Sequence, residues 1–410
     1  MTYVKNLRCV ECGREYPLSP LYVCDFCFGP LEVAYDYDAI KRDMTRQAIE
    51  SRPHTMWRYR ELLPINGDPV TGFDTGYTPL MNARNLAKAW GVKEIFLKDD
   101  SVNHPTLSFK DRVVAVAITK AKEFGFDTVA CASTGNLANS VAAQSARAGM
   151  KRFIFTPSDL EVSKTISSLI YGPNLVRVEG TYDDVNRLCA EIANKYQWAF
   201  VNINLRPFYG EGSKTLGYEI AEQLGWKTPQ AVVVPCASGS LMIKIWKAFQ
   251  EFEKLGLVAP VTTNVFAAQA TGCNPITTAI KEGSDIIRPV KPRTIAKSLA
   301  IGSPADGYYA TQAAKQTGGY GADSSDQEII DAIKFLAETE GVFAETAGGV
   351  ALSAAKKLLD AGRIAKDGTL VICITGNGLK TTDAIAGHIT MPTPIRPTIE
   401  SFETMLKSAL

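Results

Sequence analysis

Two hydrophobic rhythms alternate along the chain from about residue 73 onward. Short runs rich in β-branched and aromatic residues predict strands: EIFLKD (94–99), TVACAS (128–133), RFIFTP (152–157), LVRVEG (175–180), AFVNIN (199–204), AVVVPCA (231–237), TNVFAAQA (263–270) and TLVICITG (369–376). Between them, stretches with amphipathic spacing predict helices, among them 111–125, 136–149, 159–172 and 182–196. Ser325, followed three residues later by Glu328, predicts a capping box opening a helix through Leu336. Alternation on this scale predicts an α/β protein with largely parallel sheets covered by helices on both faces. So many strands would overfill one sheet, so two open twisted α/β domains are expected, with a boundary near 205–212, where turn residues cluster. The final stretch, MPTPIRPTIESFETMLKSAL, is proline-broken and then helical, and is expected to pack as a tail on the surface.

The 410 residues, 46% hydrophobic and 21% charged, suit a globular protein of two or three domains. A net charge of +1 leaves no electrostatic footprint for nucleic acid or an anionic membrane. The first residues carry neither a secretory nor a transit composition, and no apolar run is long enough to span a bilayer, so a cytoplasmic location is expected. With only His54, His104 and His388, a Ser-His-Asp hydrolase or a multi-histidine catalytic metal site is disfavoured.

Cys9-x2-Cys12 and Cys24-x2-Cys27 form two knuckles, each followed by a glycine (Gly13, Gly29), at the spacing of a tetrahedral zinc ribbon. All four positions are filled and none is left for water, which points to a structural metal; four reduced thiols in a small subdomain are the alternative. The other five cysteines, Cys131, Cys189, Cys236, Cys273 and Cys373, lie in apolar contexts and read as small buried side chains.

Four motifs fall at strand-to-helix turns, where α/β proteins bind ligands. Ser108-Phe109-Lys110 closes a polar turn and opens an apolar helix. An amine desolvated there is expected to have a lowered pKa and to form a Schiff base with an aldehyde, although a lysine beside an aspartate, here Asp111, is taken alone more often a surface ion pair. Ser133-Thr134-Gly135-Asn136 offers hydroxyls, an amide and a helix start suited to a carboxylate, or simply an N-cap turn. Ala237-Ser238-Gly239-Ser240 permits close backbone approach ahead of a helix and suits a phosphate, without being a Walker loop or a dinucleotide fingerprint. Thr375-Gly376-Asn377-Gly378-Leu379-Lys380 holds an open turn at a strand's carboxyl end.

Together these motifs resemble the pyridoxal-phosphate enzymes of the tryptophan-synthase-β fold group (fold type II), and within it the threonine synthase family. The resemblance runs from Cys9 to about Asp383: TGYTPLMNARNLAKAWGVKEIFLKDD, SFKDR, STGN, EGSKT, ETAGG and TGNGLK follow in family order, with TMWRYRELLP and the cysteine knuckles similar to one branch. It implies a zinc-ribbon-like segment (1–45), a large cofactor-phosphate domain (46–95 plus 206–410) and a small domain (96–205) carrying the STGN loop. It makes Lys110 the Schiff-base lysine, packed on Phe109, and gives Asn136 the cofactor's phenolic oxygen. Ala237, Ser238, Gly239, Ser240 and Leu241 take the cofactor phosphate, and Thr375 faces the pyridine nitrogen. Ser133, Thr134 and Gly135 would hold the substrate carboxylate, while Asn202, Asn204, Arg206 and Lys214 are candidates for a phosphorylated leaving group.

The implied reaction converts O-phospho-L-homoserine and water into L-threonine and phosphate by γ-elimination and β-addition, in a homodimer. A paralogue joining O-phosphoserine with sulfite (cysteate synthase), a serine or threonine deaminase, and a non-catalytic zinc-ribbon binding protein are the other readings. Two positions depart from the family pattern. Leu107 stands where many members have glycine, narrowing the turn before the lysine. Tyr209-Gly210 stands where an arginine usually precedes the EG pair, with Arg206 earlier.

Overall fold

The computed structural model describes residues 3–158, 162–180 and 182–409. Strands β1 (Val4–Cys9), β2 (Glu15–Tyr16) and β3 (Leu31–Tyr35) form an antiparallel sheet in the order β2-β1-β3. The chain then lays down β4 (Leu80–Asn82) and β5 (Glu94–Asp99), leaves for four parallel strands, β6 (Thr128–Ala132), β7 (Lys151–Pro157), β8 (Asn174–Val178) and β9 (Ala199–Phe200), and returns. Strands β10 (Ala231–Pro235), β11 (Asn264–Ala270), β12 (Gly321–Ser324) and β13 (Thr369–Ile374) complete a six-stranded sheet ordered β12-β11-β10-β13-β5-β4. It is parallel except for β4 at its edge. Strands β6 and β10 are buried at every position, as continuous apolar runs in covered parallel sheets should be.

Every predicted strand is present, but AFVNIN contributes only Ala199–Phe200, because the Asn204 amide folds back to cap a turn. Its Oδ1 accepts from Phe200 N at 2.9 Å and its Nδ2 donates to Trp198 O at 3.0 Å. The capping box forms as predicted: Ser325 Oγ accepts from Glu328 N, and the Glu328 carboxylate accepts from Ser325 N. Asp159, Leu160 and Glu161 of the predicted 159–172 helix lie outside the described residues, and the rest is helical over Val162–Leu169. A domain limit at 95/96 would cut β5, which pairs with β13 along its whole length in the large sheet. The C-terminal tail does not pack as expected: residues 391–400 are exposed, as are Phe402, Met405 and Leu406 on the helix Ile399–Ala409. No helix among the described residues is long and apolar enough to cross a membrane.

Beneath the large sheet's carboxyl edge lie two cations and two carboxylates, Lys98, Arg112, Asp100 and Glu219, whose side chains have 0% exposure wherever they pair. Lys98 Nζ is 2.7 Å from Glu219, and Arg112 grips Asp100 with two bonds of 2.7 and 2.8 Å while its other edge reaches Glu219. Burial alone would push the Glu219 carboxyl up, but the charges of Arg112 and Lys98 outweigh it and hold it at about 2.

The four N-terminal cysteine sulfurs lie within 4.8 Å of one another, with Cys9–Cys27 at 3.5 Å and Cys12–Cys24 at 3.7 Å. A tetrahedral zinc with bonds of about 2.3 Å separates its sulfurs by roughly 3.8 Å, so the donor set fits zinc and leaves no open position. The other five cysteines are buried, as expected.

Replacing Arg112 by Met leaves the buried Asp100 carboxylate without its cation and Glu219 with Lys98 alone, and should destabilise the fold by about 3–5 kcal/mol in chemical denaturation. Glu219 gains its proton near the ordinary carboxylate range when unfolded but only near 2 when folded. Its stabilisation is therefore complete above that range and is lost as pH falls toward about 2; Glu219→Gln should flatten this part of the pH–stability profile. Metal analysis should find about one zinc per chain, and Cys12→Ser should lose it.

Candidate active site

The carboxyl ends of β5, β13 and β10 lie side by side in the large sheet, so the segments leaving them open onto one crevice. Lys110 begins the helix Lys110–Glu123, and the turn before it is stitched to the segment after β13. Phe109 N donates to Thr375 O at 2.9 Å, Asn377 N donates to Leu107 O at 3.1 Å, and Ser108 bridges Gly376. Leu107 itself sits at φ 57°, in the left-handed region that glycine enters freely and leucine does not. That explains glycine as the family's usual choice here.

The Lys110 amine is half-buried, passes over the Phe109 ring with 5.4 Å to its centroid, and donates to the Tyr209 hydroxyl at 3.1 Å. Tyr209 lies on the helix Arg206–Glu211, at the position where the sequence departs from the family pattern. That departure was the only signal in the chain for a partner 99 residues away.

Asn136, first residue of the helix Asn136–Arg147, donates from Nδ2 to both oxygens of Glu345 at 3.1 and 2.9 Å. Glu345, from the ETAGG motif, is 2% exposed. Burial raises its carboxyl above the usual range, against the lowering pull of Asn136, Lys380 and Lys110. Its backbone N donates to Gly376 O at 2.9 Å, and a Cβ on Gly376 would sit 2.5 Å from the Glu345 carboxyl carbon, so only glycine fits over this carboxylate. Thr375 is nearly buried at the end of β13. The structure thus gathers Lys110, Phe109, Asn136 and Thr375 and adds Tyr209 and Glu345, to which no role attached in the sequence.

The turn after β10 runs through Ala237 and Ser238 to Gly239, at φ 99°, and then into the helix Ser240–Leu255. A Cβ on Gly239 would meet the Ala310 Cβ at 2.8 Å and Asp306 O at 3.0 Å. The first N–H groups of that helix, at Ser240 and Leu241, have no partner within the helix and give it a positive end suited to a phosphate. Ser133 and Thr134 lie close to Thr156, whose buried Oγ1 has no hydrogen-bond partner among the described residues, and Gly135 N lies 3.4 Å from Ser133 Oγ.

The leaving-group candidates divide. Asn202 Oδ1 is buried with no partner among the described residues; it is an acceptor, so toward a phosphate this side chain can serve only through its Nδ2 donor. Arg206 Nη2 donates to Asp306 at 2.8 Å, and Asp306 N donates to Ser238 O at 3.1 Å, which puts Arg206 beside the Gly239 turn. Asn204 is used up by its turn. Lys214 is not brought to the crevice: its side chain has 0% exposure and pairs with Glu211 at 2.6 Å and Glu251 at 3.1 Å, so it is a structural cation.

An amine at a helix start, a turn ahead of a helix that leaves no room for a Cβ at Gly239, and a buried carboxyl–amide pair are a donor set that fits pyridoxal phosphate. A model described as "Pyridoxal-phosphate dependent enzyme" matches residues 73–376, and one described as "NinF protein" matches residues 8–32, the cysteine-bearing segment. The chain is 37% identical over 406 residues to a threonine synthase of Methanocaldococcus jannaschii (98% of this chain, 99% of the relative). It is 36% identical over 401 residues to that of Methanosarcina acetivorans (97% of each). Among solved structures, threonine deaminase isoform 2 from Solanum lycopersicum superposes with a TM-score of 0.62 at 21% identity, covering 75% of this chain and 87% of that one, a likeness of fold alone. The chain belongs to the pyridoxal-phosphate dependent enzymes and, among them, to the threonine synthases.

Proposed function

We propose that the protein makes L-threonine and phosphate from O-phospho-L-homoserine and water, with Lys110 as its central catalytic residue. The observation that carries this reading is the half-buried Lys110 amine beside the Tyr209 hydroxyl, within a chain that matches threonine synthases over nearly its whole length. When bound, pyridoxal phosphate supplies an electron sink that stabilises negative charge on the substrate's carbon skeleton. Lys110 would anchor it, with Phe109, Asn136, Thr375 and the 237–241 turn as its other ligands.

Ser133, Thr134 and Gly135 orient the substrate through its carboxylate. Lys110 moves protons at the α and β carbons, and the Tyr209 hydroxyl, 3.1 Å away, holds the amine in line for this. Arg206 and Asn202 receive the departing phosphate; an arginine fork matches phosphate oxygens in both geometry and charge. Glu345 fixes the Asn136 amide. The ribbon cysteines hold a structural zinc. A cytoplasmic homodimer is the proposed working form, supported by the family to which the chain belongs.

Purified protein should be yellow, lose the colour on borohydride treatment, and release threonine and phosphate in equal amounts from phosphohomoserine. Lys110→Ala should be colourless and at least about 10³-fold slower. Turnover of phosphoserine with sulfite and no threonine would replace this reading with the paralogous one. Tyr209→Phe should keep the colour and lower kcat roughly 10- to 100-fold with little change in KM, as loss of a group needed for proton transfer does.

A further inference from the structure

Each cysteine knuckle sends one side chain away from the metal site and onto the anion-binding side of the crevice. From the first, Glu11, next to Cys12, accepts a hydrogen bond from the Tyr309 hydroxyl. From the second, Tyr22, two residues before Cys24, sets its hydroxyl 3.5 Å from Arg206 Nη1, with the guanidinium carbon 5.8 Å from the ring centroid. Both contacts converge on one short segment. Tyr309 stands on the helix Gly307–Gln316, which follows Asp306, and Asp306 is the carboxylate that pairs with Arg206 at 2.8 Å. The backbone of Asp306 in turn donates to Ser238 O at 3.1 Å, and its carbonyl fills the space a Cβ on Gly239 would need.

We propose that the N-terminal ribbon is a positioning element for the anion site: Tyr22 and Glu11 hold Arg206 and the 306–309 segment in register with the Ser238–Gly239 turn. The proposal rests on the reading of Arg206 as a ligand for the substrate's phosphate. An arginine side chain loses considerable rotamer freedom when it is fixed in one place. Asp306 alone tethers one nitrogen and leaves the fork free to rotate about that contact. Tyr22 supplies the second tether, by hydrogen bond and ring face together. The two tethers occupy two of the five guanidinium N–H groups, and the rest stay available to phosphate oxygens among the described residues. The side chain, 26% exposed, keeps an open face.

The ribbon is also fastened directly to the helix that begins at Ser240. Glu32 on β3 pairs with Lys244 at 3.0 Å and Lys247 at 2.7 Å, so the ribbon cannot shift without moving the cradle. A small metal-bound subdomain depends on its ion for its fold. Metal retention and anion affinity are therefore linked, and linkage is reciprocal: whatever the ribbon gives the anion, the anion returns to the ribbon.

The test uses the zinc- and cofactor-loaded enzyme. Tyr22→Phe removes the hydroxyl and keeps the ring. It should raise KM for phosphohomoserine about fivefold, the worth of one hydrogen bond, with kcat, colour and zinc content unchanged. In an Arg206→Ala background the same change should have no further effect. Inorganic phosphate should slow zinc release to a chromophoric chelator in the wild type, and less so in Tyr22→Phe. If Arg206→Ala raises KM but Tyr22→Phe does not, the ribbon plays no positioning part, although Arg206 keeps its role. If neither moves KM, the reading of Arg206 fails and takes the proposal with it.

Discussion

Four ionised groups with no solvent contact fix the place where the chemistry happens. Lys98 and Asp100 flank the end of β5, Arg112 lies two residues beyond Lys110, and Glu219 comes from the helix Lys214–Gln223, so their bonds tie a strand end and two helices at one point. Burying such a network costs desolvation, and apolar residues of the same volume are often as stable. What the charges add is directional. Arg112 offers a planar fork with a carboxylate on each edge, and an apolar side chain has no equivalent way to set the rotation of the helix that presents Lys110. Thr78 and Thr215 take up remaining donors of the same guanidinium at 3.1 Å, which leaves this arginine little conformational choice.

A second buried network does the same for the N-terminal sheet. Glu211 and Glu251 share Lys214, Glu211 also pairs with Lys244 at 2.8 Å, and the Tyr35 hydroxyl on β3 donates to Glu211 at 2.8 Å. The helix that carries Arg206 and Tyr209 is therefore pinned at its far end by the N-terminal sheet and at its near end by the crevice. Lys214 belongs to the EGSKT motif that runs in family order through this class, but its work is architectural. A motif position marks a constraint without saying whether a ligand or a neighbouring carboxylate imposes it.

Much of the fold could be read from local pattern. Strands β5, β6, β10 and β13 announce themselves by dense apolar composition, the cysteine spacing defines the ribbon, and Ser325 with Glu328 marks a helix start that forms as read. Strands β4 (LMN) and β12 (GADS) are too short and too small in side chain to stand out. The motifs that line the crevice were legible because each follows a strand, and parallel topology brings strand ends together. What stayed hidden was pairing at a distance. The sequence offers no sign that Asn136 finds Glu345, 209 residues on, nor that Asn204 spends both ends of its amide on its own turn. The tail misled for a related reason: an amphipathic pattern says that a helix has an apolar face, not that this chain covers it.

Leu107 carries a consequence of its own. A side chain held at φ 57° costs its backbone roughly 1–2 kcal/mol relative to an unstrained conformation, and glycine or asparagine would avoid much of that penalty. Hydrogen bonds from Leu107 N to Asn103 O and from Asn377 N to Leu107 O clamp the residue on both sides, so the turn cannot relax by unwinding. The strain is therefore held in the native turn at the point from which the lysine is presented, and a glycine there would release it while keeping both of the bonds that fix the turn.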